Sequence, residues 1–401
     1  MTRPLICGFI LTLAAPLVAV ALVTAGSAPT SAVGGQESVS VTDSGPHMVA
    51  STYECDTKGH QVKKQQITLD SGKARYSFAY SGCTDPSHGD KHPSAEGNFG
   101  MPDPWVGNWY WGGFITVAVN GSDALEYTLT EMRPLESGPR GSFQALWAHP
   151  DAIVALRVAM LPESNHVLCY LSWKPQPGKT VKTVSMRLRC YPSFFTMAKH
   201  RQGERHCQTP RIDLKQPQTL KIIPDKDTYL YYYDAIFDKA KGDGEGPSAA
   251  IVAPEGVKGG NVAIGDYNVD TTVDLNPDVG HLQFALYDFT GLTNAQAEAY
   301  LKAQAADLAQ LEKTDFRPKV VREMDLDKFS AESAKLLTDA ADDGKAFKPK
   351  IDKLLAKVAG LKKKADAGDW QAEADMAQAL RDSDDLFWRL KIFAALNNPP
   401  K

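Results

Sequence analysis

Apolar and polar residues alternate along most of the chain between about residues 48 and 290. RYSFAY places Tyr76, Phe78 and Tyr80 on one face of an extended strand, whereas GHLQFALYDF carries apolar residues on both faces. Similar runs, separated by Pro, Gly, Asn or Asp, recur at 112–119, 124–132, 142–149, 153–160, 166–174, 181–191, 218–223, 228–237 and 258–275. So many strands with no long helical pattern between them predict a mainly β fold, with a large antiparallel β-sandwich over 36–290.

The hydrophobic period changes to that of helices at Gly291. Thr293 and Gln296 have the spacing of a capping box, and apolar residues then recur at helical intervals. Further helices are predicted at about 329–342, 348–365 and 370–396, with breaks at DDGK, FKP and DAGD. We therefore expect a linking helix over 291–317 and a small α-helical C-terminal appendage over 318–401.

The first 35 residues have the order of a secretory signal. Arg3 precedes an apolar run over 5–23, and small residues follow. The alternative is an uncleaved membrane anchor, because 19 mostly apolar residues just span a bilayer. Pro16 and the small-residue tail favour cleavage. We expect an exported protein, whether periplasmic, cell-surface or secreted, with no membrane span after cleavage.

The charge balance argues against a nucleic-acid partner. The chain has 44 Lys and Arg against 48 Asp and Glu, a formal net charge of −4. A nucleic-acid-binding surface would need a basic surplus.

Five cysteines follow the signal: Cys55, Cys83, Cys169, Cys190 and Cys207. An odd number in an oxidising compartment leaves one thiol free or paired with another chain. A Cys55–Cys83 disulfide would join the N-terminal strands, and a Cys190–Cys207 disulfide would close the intervening loop. Cys169 is then the expected free, buried thiol, on a strand predicted to form a hairpin with the one that ends at Cys190.

The densest polar stretch, YPSFFTMAKHRQGERHCQTPR, covers 191–211. With the preceding strand it contributes six cationic side chains, Arg187, Arg189, Lys199, Arg201, Arg205 and Arg211. Arginine binds carboxylates with two parallel hydrogen bonds, so Arg201 and Arg211 are candidate ligands for an acidic sugar. His200, Glu204, Arg205 and His206 are the candidate catalytic residues, as proton donors or acceptors and their cationic neighbour. The alternative is a stapled loop whose arginines pair with nearby acids.

A second candidate site is the aromatic segment GMPDPWVGNWYWGGF, residues 100–114. Trp105, Trp109 and Trp111 offer flat apolar faces that suit a sugar ring. Gly107, Gly112 and Gly113 would let a ligand or another strand approach closely. In the alternative these rings close one end of the sandwich.

No metal or cofactor is expected. His88, Asp90 and His92 have ligand chemistry, but their spacing matches no known site, and a solvated loop is favoured. Calcium is considered for DYNVDTTVDLNPDVG, which lacks the Gly and Glu of an EF-hand loop.

The strand texture of NWYWGGFITVAVNG, MRLRCYPSFF and GHLQFALYDFTG resembles the galactose-mutarotase-like supersandwich domains over about residues 50–290. The resemblance implies a sugar-binding sandwich, and some members are epimerases, lyases or accessory domains of hydrolases. It does not fix which of His200, His206, His281 and Glu204 would be catalytic, because fold alone does not carry function.

Three hypotheses follow. The first is a carbohydrate-binding sandwich, with acidic polysaccharide as a candidate ligand and a protein partner for the C-terminal helices. The second is a carbohydrate-active lyase, epimerase or hydrolase that uses the 191–211 loop. The third is a structural or interaction protein of the cell envelope. Of the three hypotheses, the two without catalysis are favoured over the enzyme.

Overall fold

The structure is a computed structural model, and it describes residues 38–51, 55, 57–102, 108–192, 204–241, 246–265 and 268–397. The predicted signal segment, Trp105, His200 and Arg201 therefore lie outside the described residues. Residues 35–401 form one compact unit, of which the described part is mainly β, with a C-terminal helical segment as predicted. None of the described helices combines the length and apolar character needed to cross a membrane.

The first sheet has five antiparallel strands. Its order is β1-β3-β4-β5, and β2 also pairs with β3. The strands are β1 (Ser40–Asp43), β2 (His47–Ala50), β3 (Gln61–Asp70), β4 (Arg75–Cys83) and β5 (Phe99–Gly100).

The second sheet has nine antiparallel strands in the order β14-β13-β16-β17-β20-β11-β10-β9-β8. In chain order these are β8 (Thr128–Glu136), β9 (Gly141–Ala148), β10 (Ala152–Met160), β11 (His166–Pro175), β13 (Arg205–Gln208), β14 (Asp213–Lys215), β16 (Tyr229–Asp234), β17 (Ser248–Val252) and β20 (His281–Asp288).

The third sheet has six antiparallel strands in the order β15-β18-β19-β12-β6-β7. Its strands are β6 (Ile115–Val119), β7 (Ser122–Asp123), β12 (Val184–Cys190), β15 (Thr219–Lys221), β18 (Val257–Ile264) and β19 (Val269–Leu275).

The nine-stranded sheet is buried on both faces. One face contributes Leu282, Phe284 and Leu286 to the main core, together with residues of the other two sheets. The opposite face carries Ala285 and Tyr287 into a second core, which is covered by the first helices after the sandwich. Successive strand residues point to opposite faces, so a strand with two apolar faces must lie between two layers.

The seven described α-helices follow β20. They are α1 (Asn294–Leu301), α2 (Gln304–Lys313), α3 (Lys319–Arg322), α4 (Leu326–Asp339), α5 (Ala341–Asp366), α6 (Trp370–Asp382) and α7 (Asp384–Asn397). The predicted capping box is present, since Thr293 Oγ1 accepts from Gln296 N and Gln296 Oε1 accepts from Thr293 N.

Two predicted helix breaks are wrong. DDGK and FKP both lie inside α5, which includes Pro349 as an interior residue. Gly344 marks a close approach instead, because a Cβ there would collide with the carbonyl oxygen of Leu337 on α4. The helix continues past Pro349 because Ile351 and Val358 bury its apolar stripe completely.

The predicted hairpin between the strands of Cys169 and Cys190 is also wrong. β11 belongs to the nine-stranded sheet and pairs with β10 and β20, whereas β12 pairs with β6 and β19 of the third sheet. KPQPGK therefore connects the two layers of the sandwich.

No disulfide joins the five cysteines Cys55, Cys83, Cys169, Cys190 and Cys207, all of which are described and buried. The Cys190 thiol contacts Ser248 Oγ at 2.9 Å, and burial raises the pKa of both Cys190 and Cys207. The predicted Cys190–Cys207 staple is therefore not formed. The thiols of Cys83 and Cys55, the other predicted pair, lie within 4.8 Å of each other without a disulfide, and each is 3.6 Å from His60 Nδ1.

Asp123 couples stability to pH. It caps the 3-10 helix Ala124–Glu126, accepting from Leu125 N at 3.0 Å, and burial raises its pKa from 3.8 to about 6. Between these values the folded chain holds the proton more tightly than the unfolded chain, so stability falls as pH rises through this window. The expected loss is on the order of 2–3 kcal/mol.

We expect Asp123→Asn, which keeps the Oδ1 acceptor without the charge, to raise the free energy of unfolding at neutral pH. Urea unfolding from about pH 4 to 7 should show a flatter profile for the variant than for the wild type. Identical pH slopes would contradict this assignment.

Candidate ligand-binding cleft

The aromatic segment lies where the first sheet meets β12. Phe114 N donates to Phe99 O at 3.1 Å, and Met101 N donates to Tyr110 O at 3.2 Å. Residues 99–101 and 110–114 therefore run beside each other. On the other side Tyr110 N donates to Arg189 O at 3.2 Å, which fixes the segment to the end of β12.

The two described tryptophans of this segment have different environments. Trp109 is only 1% exposed, and its Nε1–H donates to Tyr287 O at 3.1 Å. This position fits the alternative in which the rings close the sandwich. Trp111 is 38% exposed and forms part of the wall of a surface cleft.

The Trp111 cleft has a volume of about 220 Å³. Both apolar and polar groups line it, and its larger polar and aromatic side chains are His47, Lys64, Gln66, Tyr80, Glu96 and Trp111. Glu96 accepts a hydrogen bond from the Tyr110 hydroxyl, and His47 Nδ1 lies 3.2 Å from Gly45 O. Burial raises the pKa of Tyr80 above its usual range.

Glycines set the shape of the cleft. A Cβ on Gly97 would lie 2.7 Å from Gly113 Cα, and one on Gly112 would lie 2.6 Å from Glu96 Cβ. A Cβ on Gly100 would collide with the Trp111 carbonyl oxygen. The predicted close approach at Gly112 and Gly113 is thus made by the segment around Glu96, and it holds Trp111 at the mouth of the cleft.

In the described part of the 191–211 stretch, Glu204 and His206 belong to a polar network that also includes residues of β14 and β16. His206 lies between two carboxylates, with Nδ1 3.0 Å from Asp213 Oδ1 and Nε2 3.3 Å from Glu204 Oε1. Lys215 Nζ lies 2.7 Å from Glu204 Oε2, and the Tyr233 hydroxyl donates to Asp213 Oδ2 at 2.7 Å. Hydrogen bonds from Lys215, then His206, lower the pKa of Glu204.

The described arginines of this region contact protein acceptors. Arg189 binds both oxygens of Asp270 at 2.9 and 3.0 Å, and Arg211 binds both oxygens of Asp227 at 2.8 and 2.6 Å. Arg205 is buried, with Nη1 3.4 Å from Gln216 Oε1. These contacts fit the alternative in which the cluster is structural.

Among the described residues, the two predicted sites meet at the end of β12, where the backbone of Tyr110 also pairs with Arg189. The Tyr110 and Tyr191 rings are 4.9 Å apart, and Tyr191 N donates to Asn108 O at 2.6 Å. His206 follows on β13 and is not part of the cleft lining. A single site that combines Trp111 with His206 is therefore not formed by the described residues.

The residues considered for metals separate into different settings. His88 lies beside Cys55, His60 and Cys83, whereas His92 contacts the Cys83 carbonyl oxygen through Nδ1 at 3.0 Å. Asp90 belongs to the loop between them. In the segment considered for calcium, Asp270 pairs with Arg189, and Asn276 Oδ1 accepts from Asp278 N as in a turn.

No protein-family model matches the chain, and no curated protein matches its sequence. Among solved structures, a GH36 alpha-galactosidase from Geobacillus stearothermophilus, in complex with stachyose, is similar at 12% identity and a TM-score of 0.35, over 59% of this chain and 42% of that chain. A glycosyl hydrolase family 38 protein from Enterococcus faecalis is similar at 8% identity and a TM-score of 0.36, over 67% and 40%.

A third similar structure is a TPR-domain containing protein from Parabacteroides distasonis. It has 9% identity and a TM-score of 0.35, over 86% of this chain and 80% of that chain. The chain spans about two-fifths of the length of the two glycoside hydrolases.

Proposed function

We propose that the protein is an exported carbohydrate-binding protein and that its ligand binds in the Trp111 cleft. The observation that carries the proposal is the half-exposed Trp111 ring, held by backbone pairing above a pocket with several kinds of polar group. Concave sites that combine apolar area with a few polar groups are typical of small-ligand binding.

The chemistry of the lining suits a sugar. An indole face gives a rigid apolar area against which the C–H face of a pyranose packs. Glu96 and Gln66 supply acceptors and donors for ring hydroxyls, and Lys64 and His47 supply cationic or hydrogen-bonding groups for a carboxylate. The mixture favours oligosaccharides that contain a uronate, with the sugar carboxylate toward Lys64.

The test is binding of the purified protein to an array of neutral, uronate-containing and sulfated glycans. We expect Trp111→Ala to weaken binding of the best glycan about tenfold or more, because the lost stacking contact contributes on the order of 1.5 kcal/mol. Trp388→Ala is the matched control, since Trp388 on α7 is 62% exposed and lies outside the cleft. The control should bind like the wild type.

Equal binding by the wild type and Trp111→Ala would contradict the proposed site. Absence of binding to every glycan would contradict the proposed ligand class. Lys64→Met tests whether the preferred glycan contains a uronate, because it should weaken binding of uronate-containing glycans more than binding of neutral ones.

One observation favours an enzyme as the alternative function. The His206 imidazole lies between two carboxylates, next to the Tyr233 hydroxyl, which is an arrangement suited to proton transfer. Conversion of array glycans that His206→Asn abolishes would favour this alternative over binding alone.

A different observation favours an interaction protein. Trp388, Ile392 and Leu396 on α7 are 62%, 37% and 71% exposed and fall on neighbouring turns of one helix. Such a face suits a protein partner of the helical segment. This role is compatible with sugar binding by the sandwich.

A further inference from the structure

Two cysteines and two histidines converge at the end of the first sheet. Their ligand atoms, one each from Cys55, His60, Cys83 and His88, all lie within 4.8 Å of one another. The four residues come from two matching segments, CDTKGH and CTDPSH, each with a histidine five positions after a cysteine. The chain thus brings the same pair of ligand types to one place twice.

The strand pairing positions the four side chains. His60 immediately precedes β3 and Cys83 ends β4, and the antiparallel register places Val62 opposite Cys83. Ser51 N donates to His60 O at 2.7 Å, and Cys55 N donates to Ser51 Oγ at 2.9 Å, which places Cys55 beside the start of β3. The 3-10 helix Pro86–His88 then returns His88 to the same point.

The distances fit a tetrahedral metal ion. His60 Nδ1 lies 3.6 Å from both Cys55 Sγ and Cys83 Sγ, and His88 Nε2 lies 3.5 Å from Cys55 Sγ. A tetrahedral zinc with ordinary bond lengths to sulfur and nitrogen separates those two ligand atoms by about 3.5 Å. A disulfide between the cysteines would instead require the two sulfurs to be about 2.05 Å apart.

A carboxylate lies near the second ring nitrogen of one of the histidines. His60 turns Nδ1 toward the thiols and Nε2 toward Asp85 Oδ2, at 3.7 Å. Asp85 is itself fixed, because its Oδ1 accepts from Ser87 N at 3.0 Å and from Ser87 Oγ at 2.6 Å. In metal sites the second ring nitrogen of a histidine commonly donates to a carboxylate, and Asp85 lies on that side of His60, slightly beyond hydrogen-bond distance.

Burial and charge agree with the same ion. Both thiols are buried, Cys55 at 5% and Cys83 at 0% exposure, while the two histidines are partly exposed. Two thiolates neutralise a divalent cation, and the two imidazoles complete the coordination without adding charge. Thiolate with imidazole selects zinc over calcium or magnesium, which prefer oxygen ligands.

We propose that Cys55, His60, Cys83 and His88 bind a structural zinc ion. Four protein ligands close the coordination sphere, so the ion holds the loop before β3 and the helix after β4 against the strand ends and leaves no position for a substrate. β3 and β4 continue from this point to Lys64 and Tyr80 of the Trp111 cleft. The zinc proposal does not rest on sugar binding.

The test is the metal content of the purified protein and its response to Co²⁺. We expect about one zinc per chain, and the metal-free protein with Co²⁺ should show the visible bands of a tetrahedral thiolate site. His88→Gln should weaken zinc binding by at least tenfold, and Cys83→Ser should remove the thiolate bands. Chelation should lower the Tm of the wild type but leave that of Cys83→Ser unchanged.

Cys169→Ala and His281→Gln are the matched controls, because they change a buried free thiol and a partly exposed histidine outside the cluster. Both should retain the metal. A Cys55–Cys83 disulfide found by mass spectrometry of the unreduced protein would overturn the proposal. So would two free thiols in a folded wild-type protein that binds neither zinc nor Co²⁺. If Cys83→Ser fails to fold, the Co²⁺ spectrum and affinity of His88→Gln still decide.

Discussion

Glu373→Ala is expected to lower the free energy of unfolding by about 3–5 kcal/mol. Glu373 on α6 forms an ion pair with Arg157 on β10, and their side chains are 3% and 4% exposed. Burial raises the pKa of Glu373, and the guanidinium of Arg157 opposes that rise. Removal of the carboxylate leaves a buried cation without its charge partner at the junction of sheet and helices.

The partners of Arg157 sharpen this prediction. Arg157 Nε also donates to Gln144 Oε1 at 2.7 Å, so the guanidinium stays in place when Glu373 is lost. The double variant Arg157→Met/Glu373→Leu should therefore be more stable than Glu373→Ala alone, because it removes both charges. Chemical denaturation measures both differences.

An exposed pair serves as the matched control. Lys348 and Asp352 on α5 are 2.8 Å apart, and Asp352→Ala should cost less than about 1 kcal/mol. If Glu373→Ala costs no more than Asp352→Ala, the buried pair does not hold the helices to the sheet.

Gly100→Ala is the second large effect that we expect. A methyl group at Gly100 would collide with the backbone carbonyl of Trp111, and neither strand can move without loss of the hydrogen bonds at Met101 and Phe114. Overpacking of this kind typically costs about 1–3 kcal/mol. Since the displaced segment carries Trp111, glycan binding should fall along with stability.

Gly360→Ala is the control for Gly100→Ala. Gly360 lies within α5, and nothing approaches within 4 Å of the position of its missing Cβ. The same substitution there should raise the free energy of unfolding by up to about 1 kcal/mol. Thermal unfolding of the two variants should therefore show shifts of opposite sign, and a destabilised Gly360→Ala would contradict the reasoning.

The faces of the strands could be predicted from the sequence because a strand repeats every two residues. Tyr76, Phe78 and Tyr80 all enter the main core as expected. That period does not indicate which strands pair with each other. Cys169 and Cys190 lie on successive apolar strands, yet β11 and β12 belong to different sheets.

The boundaries of the C-terminal helices are harder to predict from the sequence. Gly344 and Pro349 are local breakers, but tertiary burial of Ile351 and Val358 outweighs their propensity and keeps α5 continuous. The chain turns at Ala341, which has a φ of 49° and carries no turn signal in its residue type.

The sequence also predicts the candidate sites only in part. Alternation in the aromatic segment indicates that some rings point inward, but only the packing shows that Trp109 is buried and Trp111 exposed. In the sequence Cys55 and Cys83 indicate a disulfide, which leaves His60 without a role, and the spacing of His88 groups it with Asp90 and His92. The signal was the twofold Cys-x₄-His spacing, which becomes informative once β3 and β4 are known to pair.

The position of a bound glycan tests the proposed Trp111 site most directly, and crystallography of the protein with the oligosaccharide that binds best on the array measures it. We expect sugar density against the Trp111 ring, with polar contacts to Glu96 and Lys64. A sugar bound at the network of Glu204, His206 and Tyr233, with the Trp111 cleft vacant, would contradict it.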